Sequence, residues 1–154
     1  MGLTGDHPPL PVPEDRVQTA RRDLRPAVPG AQAAGWWLRS DGSRTRVLSG
    51  VDDDPDGWQK QAERFLRNAF PGEGRGLLAL SRHVEIKIAM RLMGKSPTDE
   101  VVVMDRVVCG RDPDTAALDY TCDKVLPAIL EEGTTLTVIE PDGTRVAYRG
   151  RRKR

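Results

Sequence analysis

His83, Glu85, Cys109 and Cys122 are the residues of this 154-residue chain whose types can do chemistry together. One imidazole and two thiolates are the donor supply of a zinc site with three protein ligands, which leaves a fourth position for water. Zinc lowers the pKa of such a water to about 7, so hydroxide becomes available at neutral pH. In His83-Val84-Glu85 the glutamate follows the histidine by two positions. At the first turn of a helix that spacing puts a carboxyl near a histidine-bound metal without binding it. Such a carboxyl can take a proton from the water and return it to a ring nitrogen and a leaving amine.

The H-x-E spacing is the first half of the zinc-deaminase pattern, whose second half is P-C-x-x-C. Taken alone it is short enough to arise by chance. A helix-start histidine, a first-turn acid favoured by the helix dipole and a single disulfide account for the same residues. The order of elements favours the zinc reading: the tripeptide opens a helix, a strand follows, Cys109 comes directly after it, and Cys122 opens the next helix.

The elements that must position these residues are legible in the periodicity. Gly35-Trp36-Trp37 begins the ordered part, and Trp37–Ser40 and Thr45–Leu48 flank Asp41-Gly42, a hairpin signal. Trp58–Ala69 carries an apolar stripe at helical spacing. Leu77–Leu80 reads as a short strand and His83–Leu92 as a helix ended by Gly94. Val101–Met104 is an unbroken apolar run, as in a central strand. Cys122–Leu130 reads as a short helix, with Pro127 near its first turn or kinking it. Thr135–Ile139 and Arg145–Tyr148 close the chain as strands around Asp142-Gly143. This order predicts an α/β fold, a mixed sheet covered by helices. Residues 1–33, with prolines at 8, 9, 11, 13, 26 and 29, are expected to form a disordered linker or tail in which His7 is inert. Residues 34–150 form the domain, and 151–154 continue the basic run Arg149-Gly150-Arg151-Arg152-Lys153-Arg154, a solvated tail or a loose attraction to phosphates.

Bulk properties set limits. Twenty-four basic and 23 acidic side chains leave a formal charge of +1, which does not by itself announce a nucleic-acid binder. No stretch reaches the roughly 20 apolar residues of a membrane span, and MGLTGDHPPLPVP lacks the basic-then-apolar pattern expected of a secretory signal.

Three segments carry a more specific likeness. Ser81-Arg82-His83-Val84-Glu85-Ile86-Lys87, the Cys122-Asp123-Lys124-Val125-Leu126-Pro127 helix and Gly133-Thr134-Thr135-Leu136-Thr137-Val138 with Pro141-Asp142-Gly143 occur in that order. Together with the upstream hairpin and the Trp-containing helix, they resemble the DddA-like family of bacterial cytosine deaminase toxins, a double-stranded DNA deaminase type within the cytidine deaminase-like superfamily. The likeness covers roughly residues 35–149. It implies a three-layer α/β/α fold with about five strands and helices on both faces. It implies zinc held by His83, Cys109 and Cys122, with Glu85 as the proton shuttle. It also implies hydrolytic deamination of cytosine to uracil in double- or single-stranded DNA, by a toxic effector domain of a larger secreted protein. Such an effector is delivered into a target-cell cytoplasm and neutralised by a cognate immunity protein. Two departures stand out. Val108 replaces the proline usual before the first cysteine, and twelve residues separate the cysteines. Met104-Asp105-Arg106 stands where the family carries asparagines.

Other residues compete for roles. Tyr120, Ser81, Arg82 and Asp105 are candidate substrate contacts, with Arg106 beside Asp105, although strand-end loop residues are more often simply solvated. Trp36 and Trp37 could stack on a base but suit core and edge packing better. Lys87 and Arg91, one turn apart, read as an exposed basic face. Asp52-Asp53-Asp54-Pro55-Asp56-Gly57 with Glu63 fits a calcium-loop pattern. A strand rather than a helix precedes it, so it reads instead as an acidic cap on the Trp58 helix. Two functions from other classes stay open: a catalytically silent zinc or nucleic-acid-binding module, and a deaminase of RNA or free nucleosides.

Overall fold

A computed structural model describes residues 9–28, 30–52 and 57–153. His7 and the Asp53–Asp56 part of the acidic loop lie outside them. Among the described residues the order is α1 (Glu14–Asp23), β1 (Ala34–Leu38), β2 (Arg44–Leu48), α2 (Trp58–Ala69), α3 (Arg75–Ala79), a 3-10 turn (Leu80–Arg82), α4 (Val84–Arg91), β3 (Thr98–Met104), α5 (Cys122–Ile129), β4 (Thr134–Ile139) and β5 (Arg145–Arg149).

The sheet runs β2-β1-β3-β4-β5 and is mixed. Among the described strands β3 and β4 are the pair that runs parallel, with Thr98 opposite Thr134 and Val103 opposite Ile139. A parallel pair needs a crossover, and α5 lies within that connection. The unbroken apolar run of β3 follows from burial on both faces. Val102 and Met104 pack with Leu66, Ile86, Ile88 and Leu126 from α2, α4 and α5. Val101 and Val103 pack with Val17 and Ala20 of α1 on the other face. The fold is α/β with helices on both sides of a five-stranded sheet, as expected.

Four expectations need correction. Residues 1–33 are not featureless, because α1 forms there and seals one face of the sheet. Its two buried side chains, Val17 and Ala20, stand one turn apart, and Arg16 anchors it by donating to the carbonyls of Arg39 and Ser43. Leu77–Leu80 is helical, not a strand. Leu77 and Leu80 are buried and Ala79 is exposed, an i, i+3 pattern that suits a helical turn. The 151–153 segment is docked: Arg151 N–H donates to Pro127 O, Arg152 N–H to Leu130 O, and the Arg152 guanidinium to Ile129 O.

Lys87 is the fourth correction. It is 2% exposed rather than part of a basic face. Its ammonium donates to Leu48 O at 2.8 Å and to Asp52 Oδ1 at 2.9 Å, tying α4 to the end of β2. The other Asp52 oxygen accepts from Gln59 N–H at the start of α2. Burial opposes ionisation of Asp52, but the Gln59 amide and the Lys87 ammonium outweigh it and hold the carboxyl below its ordinary pKa. With both oxygens engaged, Asp52 belongs to the scaffold. Arg91 stacks its guanidinium 4.5 Å from the Trp58 ring.

Asp52→Ala leaves a buried ammonium without its counter-charge and is expected to destabilise the fold by about 3 kcal/mol. Urea unfolding checks this, and a loss under about 1 kcal/mol counts against it. Because the folded pKa is depressed, the stabilisation is present above about pH 4. It is lost as pH falls through the folded value.

Candidate active site

Two helix N-termini and one strand end converge at the C-terminal edge of β3. His83 is the N-cap residue of α4, in extended conformation. Cys122 opens α5 behind the N-cap Thr121, whose side chain accepts from Lys124 N–H. Cys109 lies in the connection that leaves β3. His83 Nδ1 stands 3.1 Å from Cys122 Sγ, and the Cys109 thiol feels both Cys122 and His83.

The long excursion between the cysteines closes on itself. Gly110 N–H donates to Thr115 Oγ1, and the Thr115 hydroxyl and amide both donate to Asp112. Asp123 N–H then donates to Cys109 O at 3.0 Å, joining the start of the loop to the first turn of α5. Glu140, buried at the end of β4, accepts from Val108 N–H at 3.0 Å and from Arg111 Nε at 2.9 Å, clamping the chain on either side of Cys109. Tyr148 of β5 donates to Asp123 Oδ1 at 2.6 Å.

Gly110 is required where it stands. Its φ is +101°, and a Cβ there would lie 2.3 Å from Thr121 Oγ1. Gly110→Ala therefore imposes both strain and collision at the residue after Cys109. We expect at least about 2 kcal/mol of destabilisation in urea unfolding, with exposure of the Cys109 and Cys122 thiols to a thiol reagent. Thiols as slow to react as in the unsubstituted chain would contradict this.

Electrostatics distinguish the cysteines. Hydrogen bonds from Cys122 and then His83 pull the Cys109 thiol down to about 4. Burial, first, pushes Cys122 up. Burial alone would lower His83, but its bond to Cys109 and the charge of Glu85 raise it. Glu85 is 4% exposed, and burial raises its carboxyl above the usual range, partly offset by His83.

His83, Glu85 and Cys109 line one cavity of about 530 Å³, within the usual range for a small-molecule site. Arg82, Arg106, Met104 and Val107 contribute to its walls. So do Asp112 and Thr115 from the excursion, two residues that the sequence reading passed over. The Asp112-Pro113-Asp114-Thr115 turn chemistry is the signal that marks them as ordered.

Of the other candidates, Arg82 is exposed at this cavity, whereas three do not line it. Ser81 is buried and accepts from Gln59 Nε2 at 2.9 Å, joining the 3-10 turn to α2. Asp105 Oδ1 accepts from Ala34 N–H and fixes the start of β1. Tyr120 donates to Glu73 and packs by Gly76. Trp37 is core, with its indole donating to Glu100 at 2.9 Å, and Trp36 lies under the Arg44 guanidinium on the α1 face.

The donor set suits zinc in kind: one imidazole nitrogen and two cysteine sulfurs, beside a buried carboxyl. Among the described residues no three His, Cys, Asp or Glu side chains stand at metal-coordination geometry. Nitrogen and sulfur ligands on one tetrahedral zinc lie about 3.5 Å apart. The 3.1 Å contact between His83 and Cys122 is a hydrogen bond shorter than that separation by less than about 0.5 Å.

The sequence matches one family model, that of the SCP1.201-like deaminases, over residues 7–154. No curated protein and no solved structure matches it.

Proposed function

Because the chain belongs to the SCP1.201-like deaminase family, we propose that it is a zinc-dependent hydrolase that converts cytosine to uracil in DNA. The observation that carries this is that His83, Cys109 and Glu85 line one cavity, with the buried Cys122 sulfur 3.1 Å behind His83 Nδ1. His83 would bind through Nδ1, the ring nitrogen turned towards the Cys122 sulfur, with Cys109 and Cys122 completing the set. Zinc held there would supply a water acidified to near-neutral pKa.

The remaining chemistry belongs to the chain. Glu85 takes the proton of the attacking water and delivers it to N3 of the base. The C4–O bond forms; a second transfer then carries the proton of the new C4 hydroxyl to the exocyclic amine, the C4–N bond breaks, ammonia leaves and the C4 carbonyl remains. A buried carboxyl of raised pKa suits this work, because it holds the proton between the two transfers rather than losing it to solvent. The Glu140 clamp on Val108 and Arg111 keeps Cys109 in place across its long separation from Cys122.

Cytosine inside a duplex is out of reach of a buried glutamate, so the base must be turned out of its stack or presented on a single strand. The likeness to the DddA-like toxins supports DNA as the substrate, an origin as a toxic domain of a larger secreted effector, action in a target-cell cytoplasm and a cognate immunity protein. The test is a substrate panel of single-stranded DNA, double-stranded DNA, RNA and cytidine, read by uracil or uridine formation. Uracil from DNA is the expected result. Turnover of RNA or cytidine alone would overturn the DNA assignment while leaving a deaminase. No turnover of any of them by zinc-loaded protein would favour a silent binding module.

A further inference from the structure

Beside the catalytic cavity lies a larger cleft of about 830 Å³ between the end of α1 and the connection leaving β3. Met104, Arg106 and Val107 line both, so the two share a wall. Leu24, Pro26 and Pro141 give the cleft an apolar lining. Its charged lining is Arg21, Arg22, Arg25 and Arg106 against one carboxylate, Asp105. Asp105 Oδ1 is already engaged by Ala34 N–H. In a chain of net charge +1 this concentration is local, not a consequence of composition.

The arginines divide by task. Arg106 donates to Val28 O and Ala31 O and so builds the wall between the cavities. Arg21 donates to Pro141 O, pinning α1 to the β4–β5 turn. Arg22 and Arg25 are exposed. The only bond of Arg22 among the described residues is to Thr19, within its own helix. Exposed guanidiniums above an apolar floor match a nucleic-acid strand, whose phosphates pair with arginine and whose base faces lie on apolar surface.

We propose that this cleft is the track for nucleotides flanking the target base, with Arg22 and Arg25 taking their phosphates. The proposal rests on the reading of the neighbouring cavity as the deamination site. It also assigns a role to α1, which the catalytic chemistry leaves unused.

The test is binding of a labelled oligothymidine of about 15 nucleotides, which contains no cytosine and so reads the track apart from the chemistry. The double substitution Arg22→Gln with Arg25→Gln is expected to weaken binding about tenfold at about 50 mM salt. It should also flatten the slope of log affinity against log salt by about 1.4, two phosphate contacts at about 0.7 each. A charge-matched control, Arg64→Gln with Arg67→Gln on the exposed side of α2, should leave both quantities near their starting values. Unchanged affinity in the first variant, or an equal fall in the control, would overturn the track. Equal competition by an oligoglutamate of matching charge would assign the cleft to an acidic peptide and overturn it as well. If the oligonucleotide binds as expected but DNA is never deaminated, the cleft keeps its strand-binding role, while the catalytic reading falls and takes the target-base role with it.

Discussion

Glu85→Ala is expected to lower kcat/KM for uracil formation by about 10³-fold or more, the scale of a lost general acid–base in a reaction that uses it twice. Zinc content and fold should survive, because Glu85 is not a ligand in this account and its buried carboxyl is a cost to stability rather than a support. Glu85→Gln separates chemistry from shape. The amide keeps the volume and polarity of the side chain but cannot carry the proton, so it should be nearly as inactive as the alanine variant. Activity of either variant within about tenfold of the unsubstituted protein would remove Glu85 from the mechanism. If the alanine variant failed to fold, the glutamine variant would still decide the matter.

Cys109→Ala carries the second large effect. With one of the three proposed ligands gone, the site should fall well below stoichiometric zinc in metal analysis, and turnover should drop with it. Thermal melting gives an independent reading, because an ion that binds only the folded chain stabilises it by mass action. At a zinc concentration a hundredfold above Kd that gain is about 2.7 kcal/mol, or roughly 5–10 °C for a chain of this size. We expect such a zinc-dependent rise in the unsubstituted protein and its loss in Cys109→Ala. A variant that keeps full zinc and the full rise would show that the loop cysteine is not a ligand. The Thr115–Asp112 closure and the Asp123–Cys109 bond would then serve the fold alone.

The parts of this molecule that were legible in the sequence are those where one local signal suffices. The Asp41-Gly42 hairpin, the Trp58–Ala69 helix and the Val101–Met104 run each carry their own period or turn chemistry, and each forms where expected. His83 and Glu85 were found because a helix start fixes their relation within three residues, whatever the rest of the chain does. What escaped depends on partners far away in sequence. Lys87 reads as a surface cation until Asp52 and Leu48 O, both more than thirty residues earlier, arrive to satisfy it. Ser81 and Asp105 look like pocket residues by position, yet Gln59 and Ala34 have already claimed their side chains. The helix α1 buries only Val17 and Ala20, too narrow a stripe to outweigh the prolines around it. In the Cys109–Cys122 excursion the individual turns are readable. That they close on one another beside His83 is a tertiary outcome, set in part by Glu140 and Tyr148 from the far strands.

The central claim is that His83, Cys109, Cys122 and Glu85 form one zinc-dependent deamination site. Its most direct test is to measure uracil formed in cytosine-containing DNA, single- and double-stranded, by metal-stripped protein as zinc is titrated back. The account predicts no uracil without metal and multiple turnovers that rise with zinc and level off at one ion per chain. Full turnover by the stripped protein, or no uracil at any zinc concentration, would contradict it.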